Sequence, residues 1–328
     1  MRVRNSEGGK QKAKSNWRLS AIAFCLLPSA FCLPLTACYP VTRPTLKLAL
    51  VAPFEGRYRD VGYEINFAVR LAIREANQTG GVGGYSIELL ALDDSGDPLA
   101  AAEQARKVSA DPSVIAVLGH WLDATTLAAA PIYDEAAIPL IATTTSPGLP
   151  ASAFRLWLTN SVYTNTLSSA LHCPLPCDSL ENLDWLTSQS PDQQSLNHPI
   201  IAGPPLWQQP QFAKLAGDHA DATFVIAPAP LPADSADPGF ANRYRAISSG
   251  VEPRSLAVLA YDATRLIFDA LARDVKANGT ATRAGVVAAL VQSRFSGLSG
   301  KISFDSNHNW VEARGWVYQW KNGEIVTP

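Results

Sequence analysis

The sequence contains little charge, since only 17% of its 328 residues are Asp, Glu, Lys or Arg. Outside the first 18 residues it has no basic run. Proteins that bind nucleic acid usually present a basic patch to the phosphates. We therefore expect no nucleic-acid partner. Hydrophobic residues make up 47% of the chain, which is enough to bury a substantial core, and the length favours two lobes.

The sequence also lacks the spacings that metal and catalytic sites require. Its five histidines show no metal-ligand pattern. Residues 305–309 resemble the start of a calcium loop but lack its later glycine and glutamate, so we expect a hairpin turn there. No phosphate loop, nucleophile elbow or deaminase signature occurs. We predict no metal, no cofactor and no enzymatic activity, although sequence leaves open a catalytic triad assembled only in space.

Two glycine- or aspartate-rich segments are interpreted as turns. Gly80 to Gly84 follows a predicted helix and precedes a strand, whereas a dinucleotide-binding loop needs the reverse order. Residues 93–98 are a polar turn in preference to a metal loop. In that turn Asp97 is the predicted N-cap of a helix that begins at Pro98.

The N-terminus has the pattern of an export signal. Six basic residues lie within the first 18 positions, and an apolar segment runs from about residue 19 to residue 35. The sequence Leu35-Thr-Ala-Cys38 resembles the bacterial lipobox, whose cysteine receives a diacylglycerol. We predict a lipoprotein signal peptide over 1–37, lipidation at Cys38 and a tether over 38–44. An ordinary signal peptide and a short membrane anchor are the alternatives.

Two of the five cysteines remain for the folded part, in the sequence Cys173-Pro-Leu-Pro-Cys177. In an oxidising compartment such a pair favours a short-range disulfide. A redox or metal pair is the alternative, but redox motifs usually have two intervening residues and zinc needs two further ligands.

From Thr45 onward, strand and helix patterns alternate. Strands are predicted over 46–52, 85–92, 114–118 and 138–142, and helices over 60–78, 98–110 and 124–137. Repeated β-α steps specify a parallel, doubly wound sheet with right-handed crossovers. We therefore predict an α/β fold.

Two neighbouring strands of this sheet end in polar loops. Gly119 to Asp123 follows one strand, with Asp123 as the predicted N-cap of the next helix, and Thr143 to Ser146 follows the other. Open α/β sheets bind ligands outside the carboxyl ends of their strands, where helix N-termini also point. This edge is therefore the predicted site for a small polar molecule.

Seven motifs occur in the order found in a known family. They are Leu48-Ala-Leu-Val-Ala-Pro-Phe-Glu-Gly56, Asn77-Gln-Thr-Gly-Gly-Val-Gly-Gly84, Leu92-Asp-Asp-Ser-Gly-Asp-Pro98, Val117-Leu-Gly-His120, Ile138-Pro-Leu-Ile141, Tyr261-Asp-Ala263 and Gly297-Leu-Ser-Gly-Lys-Ile-Ser-Phe-Asp305. The chain thus resembles the type I periplasmic binding proteins, in particular the leucine/isoleucine/valine-binding branch that serves ABC importers. The resemblance makes His120 a structural residue of a Gly-His turn.

The family fold implies two lobes with three chain crossings, near 157–162, 223–228 and 312–317. Lobe 1 would comprise 45–160 plus 228–312. Lobe 2 would comprise 161–227 plus 313–328, which is shorter than the family's usual second lobe. Its central segment offers only a strand near 199–202 and a helix over 179–188. The shortened lobe 2 is either a small cap or completed by another chain.

The predicted ligand-binding residues lie on loops of lobe 1: Phe54, Tyr58, Trp121, Leu122, Asp123, Thr143, Thr144 and Thr145. Aromatic residues on such loops, among them Phe54, Tyr58 and Trp121, either stack on ligand or pack against protein. In the family's amino-acid binders, a Ser or Thr holds the ligand carboxylate where this sequence has Asp123. The family's acidic partner for the ligand ammonium has no match, because Pro204-Pro205 stands near its place. A cationic, amide or hydroxyl-rich ligand suits these residues better than a zwitterionic amino acid.

The resemblance implies an exported solute-binding lipoprotein on the outer face of the cell membrane. Its partners would be a small polar ligand, amino-acid-like or an amide, and the permease of an ABC importer. The alternative is a non-transport sensor or protein-interaction module derived from a solute-binding protein.

Overall fold

The computed structural model describes residues 43–171 and 201–328. The predicted signal peptide, the lipidation site Cys38, the Cys173–Cys177 disulfide and the helix predicted over 179–188 lie outside the described residues. These four features stay predictions.

A sheet of five parallel strands builds the first part of the fold. The strands are β1 (Thr45–Ala52), β2 (Ser86–Asp93), β3 (Val114–Leu118), β4 (Leu140–Ala142) and β5 (Ala153–Arg155). Their order is β2-β1-β3-β4-β5, so that β1, β3 and β4 are each paired with a strand on both edges. All five residues of β3 are buried, as a continuous apolar run in a parallel sheet predicts.

Helices cover both faces of this sheet. The first three are α1 (Arg59–Gln78), α2 (Pro98–Ser109) and α3 (Asp123–Glu135). Side chains of β1 alternate between the two faces: Leu48 lies in one hydrophobic cluster with Ile65 of α1, and Ala49 lies in another with Ala105 of α2 and Ala129 of α3. The predicted doubly wound parallel sheet is confirmed.

Local sequence signals fix the ends of these helices. The Asp97 carboxylate accepts hydrogen bonds from the backbone N–H groups of Leu99 and Ala100, both at 2.8 Å, so the predicted cap of α2 is confirmed. After α1, Gly81 has φ +81°, and a Cβ atom there would lie 2.0 Å from the carbonyl oxygen of Tyr85. Only glycine permits this tight return into β2.

A second, mixed sheet lies beyond the first. Its strands are β6 (Ile201–Gly203), β7 (Thr223–Ala227), β10 (Trp316–Lys321) and β11 (Glu324–Val326), in the order β11-β10-β7-β6. Strands β6 and β7 are parallel, whereas β10 runs antiparallel to both of its neighbours. The short helices α4 (Asn160–Leu171) and α5 (Pro210–Ala216) belong to the connections around this sheet.

Between β7 and β10 of the second sheet, the chain returns to pack against the first sheet. This stretch contains α6 (Phe240–Arg245), α7 (Ser255–Asn278), α8 (Arg283–Val291) and the hairpin of β8 (Phe295–Gly297) with β9 (Gly300–Ile302). Helix α7 packs against α1, and α8 packs against α7. The predicted turn over 305–309 is also present, closed by an antiparallel bridge between Phe304 and Trp310.

One hydrophobic cluster extends from the first sheet to the second. It contains Leu48 of β1 and Leu256 of α7 together with Trp207, Phe212 and Trp320 around the second sheet. Both sheets belong to one compact unit, Pro44–Pro328. The boundaries between the predicted lobes are not fixed by these contacts and stay a prediction.

Candidate functional site

The loop after β3 crosses close over β1 because it begins with glycine. Gly119 has φ +143°, and a Cβ atom there would lie 2.3 Å from the carbonyl oxygen of Val51. A larger residue would push the two strands apart at this edge. The loop that follows, Trp121 to Asp123, therefore lies directly at the carboxyl end of the sheet.

His120 is held in the interior by two side chains. Its Nδ1 lies 2.6 Å from Oδ2 of Asp94, and its Nε2 lies 3.2 Å from the hydroxyl oxygen of Tyr133. All three side chains are buried. The carbonyl oxygen of His120 accepts hydrogen bonds from the hydroxyls of Thr126 and Thr143. The structural role predicted for His120 is confirmed.

Asp123 is not the N-cap of α3, which corrects the prediction. Leu122 occupies the N-cap position and Asp123 is the first helical residue. The carboxylate of Asp123 is bound instead by donors of the loop after β4, which reaches this helix end. Asp123 Oδ1 accepts from the hydroxyl of Thr144 at 2.5 Å and from the N–H of Thr145 at 3.0 Å. Its Oδ2 accepts from the hydroxyls of Thr145 at 2.6 Å and Ser146 at 2.8 Å.

Arg155 supports the loop after β4 through hydrogen bonds on the side away from the crevice. Its Nη2 donates to the carbonyl oxygen of Ser146, and its Nη1 donates to Oδ1 of Asn309 at 2.8 Å. Burial lowers the pKa of the guanidinium, while the nearby carboxylates of Asp123 and Asp305 oppose that shift. Arg155 thus holds the Asp123 loop in place through the backbone of Ser146.

A crevice opens between this loop and the second sheet. Its cavity volume is about 30 Å³, so the two walls lie close together in this structure. The first part of the chain contributes Trp121, Leu122, Asp123, Thr143 and Thr145. The opposite wall and the crossing segments contribute Trp157, Leu158, Asn160, Tyr163, Pro204, Pro205, Leu206, Ile226 and Pro228.

The chemistry of the lining is mostly apolar with few polar groups. None of these lining residues is Lys, Arg or His, and Asp123 is the acidic one among them. This chemistry is that of small-molecule sites, in which a few polar groups orient a ligand within an apolar wall. Within the described residues, no group of three or more His, Cys, Asp or Glu side chains could hold a metal ion.

Residues 45–172 and 194–324 match the sequence profile of the periplasmic binding proteins. The chain belongs to this family. Its members are binding proteins, and the resemblance inferred from the seven motifs is confirmed. In the described part of this periplasmic binding protein, no helix has both the length and the apolar character needed to cross a bilayer.

Two curated relatives have sequences similar to part of this periplasmic binding protein. The leucine-, isoleucine-, valine-, threonine- and alanine-binding protein of Pseudomonas aeruginosa is 31% identical over 144 residues, which cover 44% of this chain and 37% of that protein. The Leu/Ile/Val-binding protein of Escherichia coli is 30% identical over 114 residues, or 34% of this chain and 31% of that protein. The chain thus spans about a third of the length of these relatives.

Solved structures share the fold over nearly the whole described chain. The substrate-binding protein of a branched-chain amino acid transporter from Streptococcus pneumoniae, in complex with isoleucine, has a TM-score of 0.68 at 20% identity and covers 87% of this chain and 100% of its own. A solute-binding protein of an ABC transporter from Rhodopseudomonas palustris, in complex with benzoate, has a TM-score of 0.65 at 19% identity and covers 86% of this chain and 95% of its own. The predicted fold class, a two-lobe type I periplasmic-binding-protein fold with a parallel doubly wound sheet, is confirmed.

The structure of this periplasmic binding protein brings most of the predicted site residues together. Trp121, Leu122, Asp123, Thr143 and Thr145 line the crevice. Thr144 is buried and binds Asp123 from behind. Their roles toward a ligand stay predictions.

Phe54 and Tyr58 lie elsewhere. Phe54 packs edge-on against Tyr63, with ring centroids 6.2 Å apart, and its N–H donates to Asp93. Tyr58 lines a separate small crevice that also contains Trp207. Both aromatic residues therefore take the packing alternative in this structure. Both side chains are partly buried and pack against the hydrophobic cluster that includes β1.

The residues of the opposite wall were not predicted from the sequence. Trp157, Leu158 and Ile226 lie within two of the predicted chain crossings, so the crossings were a usable signal for them. Pro204 and Pro205 were expected only to stand where the family has an acidic residue. Both line the crevice.

Proposed function

We propose that this periplasmic binding protein is an exported solute-binding lipoprotein. It captures a small polar ligand, amino-acid-like or an amide, and delivers it to the permease of an ABC importer. The observation that carries the proposal is the crevice lined from both sheets, with Asp123 and Thr145 on one wall and Pro205 and Leu206 on the other. The names of the relatives, which bind branched-chain amino acids, support a ligand of similar size.

Capture would follow from motion of two lobes about the crossing segments. In this proposal lobe 1 comprises 45–160 plus 228–312, and the shortened lobe 2 comprises 161–227 plus 313–328. A ligand stabilises the closed state only through contacts that the open state lacks. The crevice supplies such contacts, because its two walls belong to different sheets. The proposal includes no catalytic step and no cofactor.

A ligand panel tests this proposal by thermal unfolding. The full chain is heated with amino acids, amides, polyamines and sugars in turn. A ligand at 100 times its Kd stabilises a folded protein by about 2.7 kcal/mol, which raises the melting temperature measurably. We expect at least one class to do so.

A variant that blocks the crevice tests whether the ligand that raises the melting temperature binds there. Asn160 is exposed at the rim of the crevice, so Asn160→Trp should fill its mouth without disturbing the core and should abolish the shift. Gln78→Trp, at the exposed end of α1, is the matched control and should keep it. An equal shift in both variants would place the ligand outside the crevice.

Membrane attachment through Cys38 is the second part of the proposal. It is supported by the lipobox-like sequence that ends at this cysteine. Cys38→Ala should release the protein from the membrane fraction, whereas Cys25→Ala, within the apolar segment, should leave it attached. Fractionation followed by immunoblotting measures both. Retention of Cys38→Ala in membranes would indicate an uncleaved anchor instead.

A non-transport sensor or protein-interaction module is favoured by one observation. Gln209 Nε2 donates to Glu64 of α1 at 2.5 Å, and Gln208 Nε2 donates to the hydroxyl of Ser255 at 3.0 Å. These buried bonds join the segment after β6 to helices of the first sheet and would restrict the opening of two lobes. A ligand panel that stabilises neither the wild type nor the variants would support this alternative.

A further inference from the structure

We infer, resting on the proposed function, that Asp123 occupies the place of a ligand carboxylate inside the crevice. The ligand therefore presents a neutral amide at this point and not a carboxylate. This assignment makes Asp123 the residue that determines specificity, and it names the substrate class as small amides with an apolar remainder.

The first argument is that the donors of the loop after β4 already have an acceptor. The hydroxyls of Thr144, Thr145 and Ser146 and the N–H of Thr145 all donate to Asp123, between 2.5 and 3.0 Å. A carboxylate offers about four lone-pair sites, and four donors fill them. A ligand carboxylate would have to displace Asp123 to gain the same hydrogen bonds.

The second argument is charge. None of the residues that line the crevice is Lys, Arg or His. Arg155, behind the loop, has its Nη1 and Nη2 committed to Asn309 and to the backbone of Ser146. Arg155 offsets part of the Asp123 charge from outside the lining, but the lining holds no cation that could pair with a ligand carboxylate. Like charges in a partly buried site repel each other more strongly than in water.

The third argument is a donor that lacks a partner. Trp121 lines the crevice and is only 1% exposed, and its indole Nε1 has no hydrogen-bond partner among the described residues. Buried donors are costly unless they are satisfied, and an indole N–H can only donate. The donor calls for an acceptor on the ligand, and among acceptors the neutral carbonyl oxygen of an amide is the one that Asp123 does not repel. The neutral N–H₂ group of the amide can then lie near Asp123 without the repulsion that a second carboxylate would meet.

The remainder of the lining indicates what the amide carries. Trp157, Leu158, Leu206 and Ile226 present apolar surface, and Pro204 and Pro205 add rigid apolar walls. An aliphatic or aromatic group gains free energy by burial against such walls. The chemical class is therefore a small primary amide with a hydrocarbon tail or ring.

Matched pairs of probes test the inference with the full chain. Isocaproamide is compared with isocaproate, and benzamide with benzoate, by measuring dissociation constants through calorimetric titration. The members of each pair have nearly the same shape and differ in charge. We expect the wild type to bind each amide at least about tenfold more tightly than its acid, which corresponds to about 1.4 kcal/mol.

Variants separate the role of Asp123 from general stability. Asp123→Ser frees the three hydroxyls and removes the charge, so the preference for amides should fall at least about tenfold or reverse. Asp123→Asn keeps the size of the side chain and should narrow the gap as well, which covers the case in which Asp123→Ser does not fold. Trp121→Phe should weaken the amides, because it removes the indole donor to their carbonyl oxygen. Asp97→Ser, at the cap of α2, is the matched control and should keep the wild-type preference.

The outcomes distinguish this inference from the proposed function. Wild-type protein that binds the acids as tightly as the amides would overturn the role of Asp123 and leave solute capture intact. An unchanged preference in both Asp123 variants would do the same. If no probe and no member of the broader panel binds to the wild type or to the variants, solute capture fails, and this inference fails with it.

Discussion

At the scale of single residues, the site depends on buried polar groups that hold one another in place. Asp94, His120 and Tyr133 form a chain of hydrogen bonds beneath the loop after β3. Because the carbonyl oxygen of His120 also receives the hydroxyl of Thr143, this chain connects the interior to the wall of the crevice. The position of Trp121 and Asp123 depends on it.

Tyr133→Phe tests this connection. The variant removes the hydroxyl that bonds to Nε2 of His120 and leaves this buried nitrogen without its hydrogen-bond partner. We expect the free energy of unfolding to fall by about 1–3 kcal/mol. Urea denaturation measures the change. Tyr63→Phe removes a hydroxyl from a side chain that is 37% exposed, and it should change stability by less than about 0.5 kcal/mol. Equal losses in the two variants would contradict the role of Tyr133.

The residue scale is also where sequence-based prediction was least complete. Asp123 could be placed at the edge of the sheet, because it follows a buried strand and a glycine turn. Its partners could not be predicted, since Thr144 to Ser146 lie more than twenty residues away and reach it only through the path of the loop. Likewise, the sequence gives no sign that Phe54 turns toward Tyr63 and away from the crevice.

At the scale of secondary-structure elements, the first sheet was predictable. Its strands are continuous apolar runs, and its helices have apolar residues at helical spacing with recognisable caps such as Asp97. The observed bounds of β3 are those predicted, and those of α1 differ by one residue. The short strands of the second sheet were harder to predict, because three-residue strands such as β6 and β11 have too few positions to show a period.

Helix α7 holds the β8–β9 hairpin through a buried carboxylate, and this contact predicts a dependence on pH. Asp262 accepts the N–H groups of Leu298 and Ser299 at 2.8 and 2.7 Å. Burial raises the pKa of Asp262 to about 6 from its usual value of 3.8, although the two N–H groups oppose the shift. Between pH 3.8 and pH 6, Asp262 is therefore more often protonated in the folded protein than in the unfolded chain. The contribution of Asp262 is therefore fully present below pH 4 and is lost as the pH rises through 6.

Between pH 4 and pH 7, this loss should lower the free energy of unfolding by about 2 kcal/mol. Burial also raises the pKa of Glu64, which adds a loss of the same sign. Acids with a lowered pKa, such as Asp111 at about 2, change stability below this window and with the opposite sign. Asp262→Asn should flatten the decline, while Asp269→Asn, partly exposed on the same helix, should retain it. A decline of the same slope in Asp262→Asn would contradict the assignment.

At the scale of the whole molecule, the two sheets share both a core and a crevice. Trp207, Phe212 and Trp320 lie in the hydrophobic cluster that includes β1, and the Gln209–Glu64 bond joins the two parts at a buried point. The family resemblance predicted the general arrangement, since its motifs occur in the family's order. It could not predict these joining contacts, because the segment between the sheets departs from the family pattern and carries no periodic signal of its own.

The central claim is that a ligand binds between the two sheets while Asp123 keeps its own hydrogen bonds. A crystal structure of the protein grown with isocaproamide tests it most directly. We expect the amide to lie in the crevice between Trp121 and Leu206, with the Asp123 carboxylate still bound by Thr144, Thr145 and Ser146. An amide bound only outside the crevice, or an Asp123 side chain turned away from these hydroxyls, would contradict the claim.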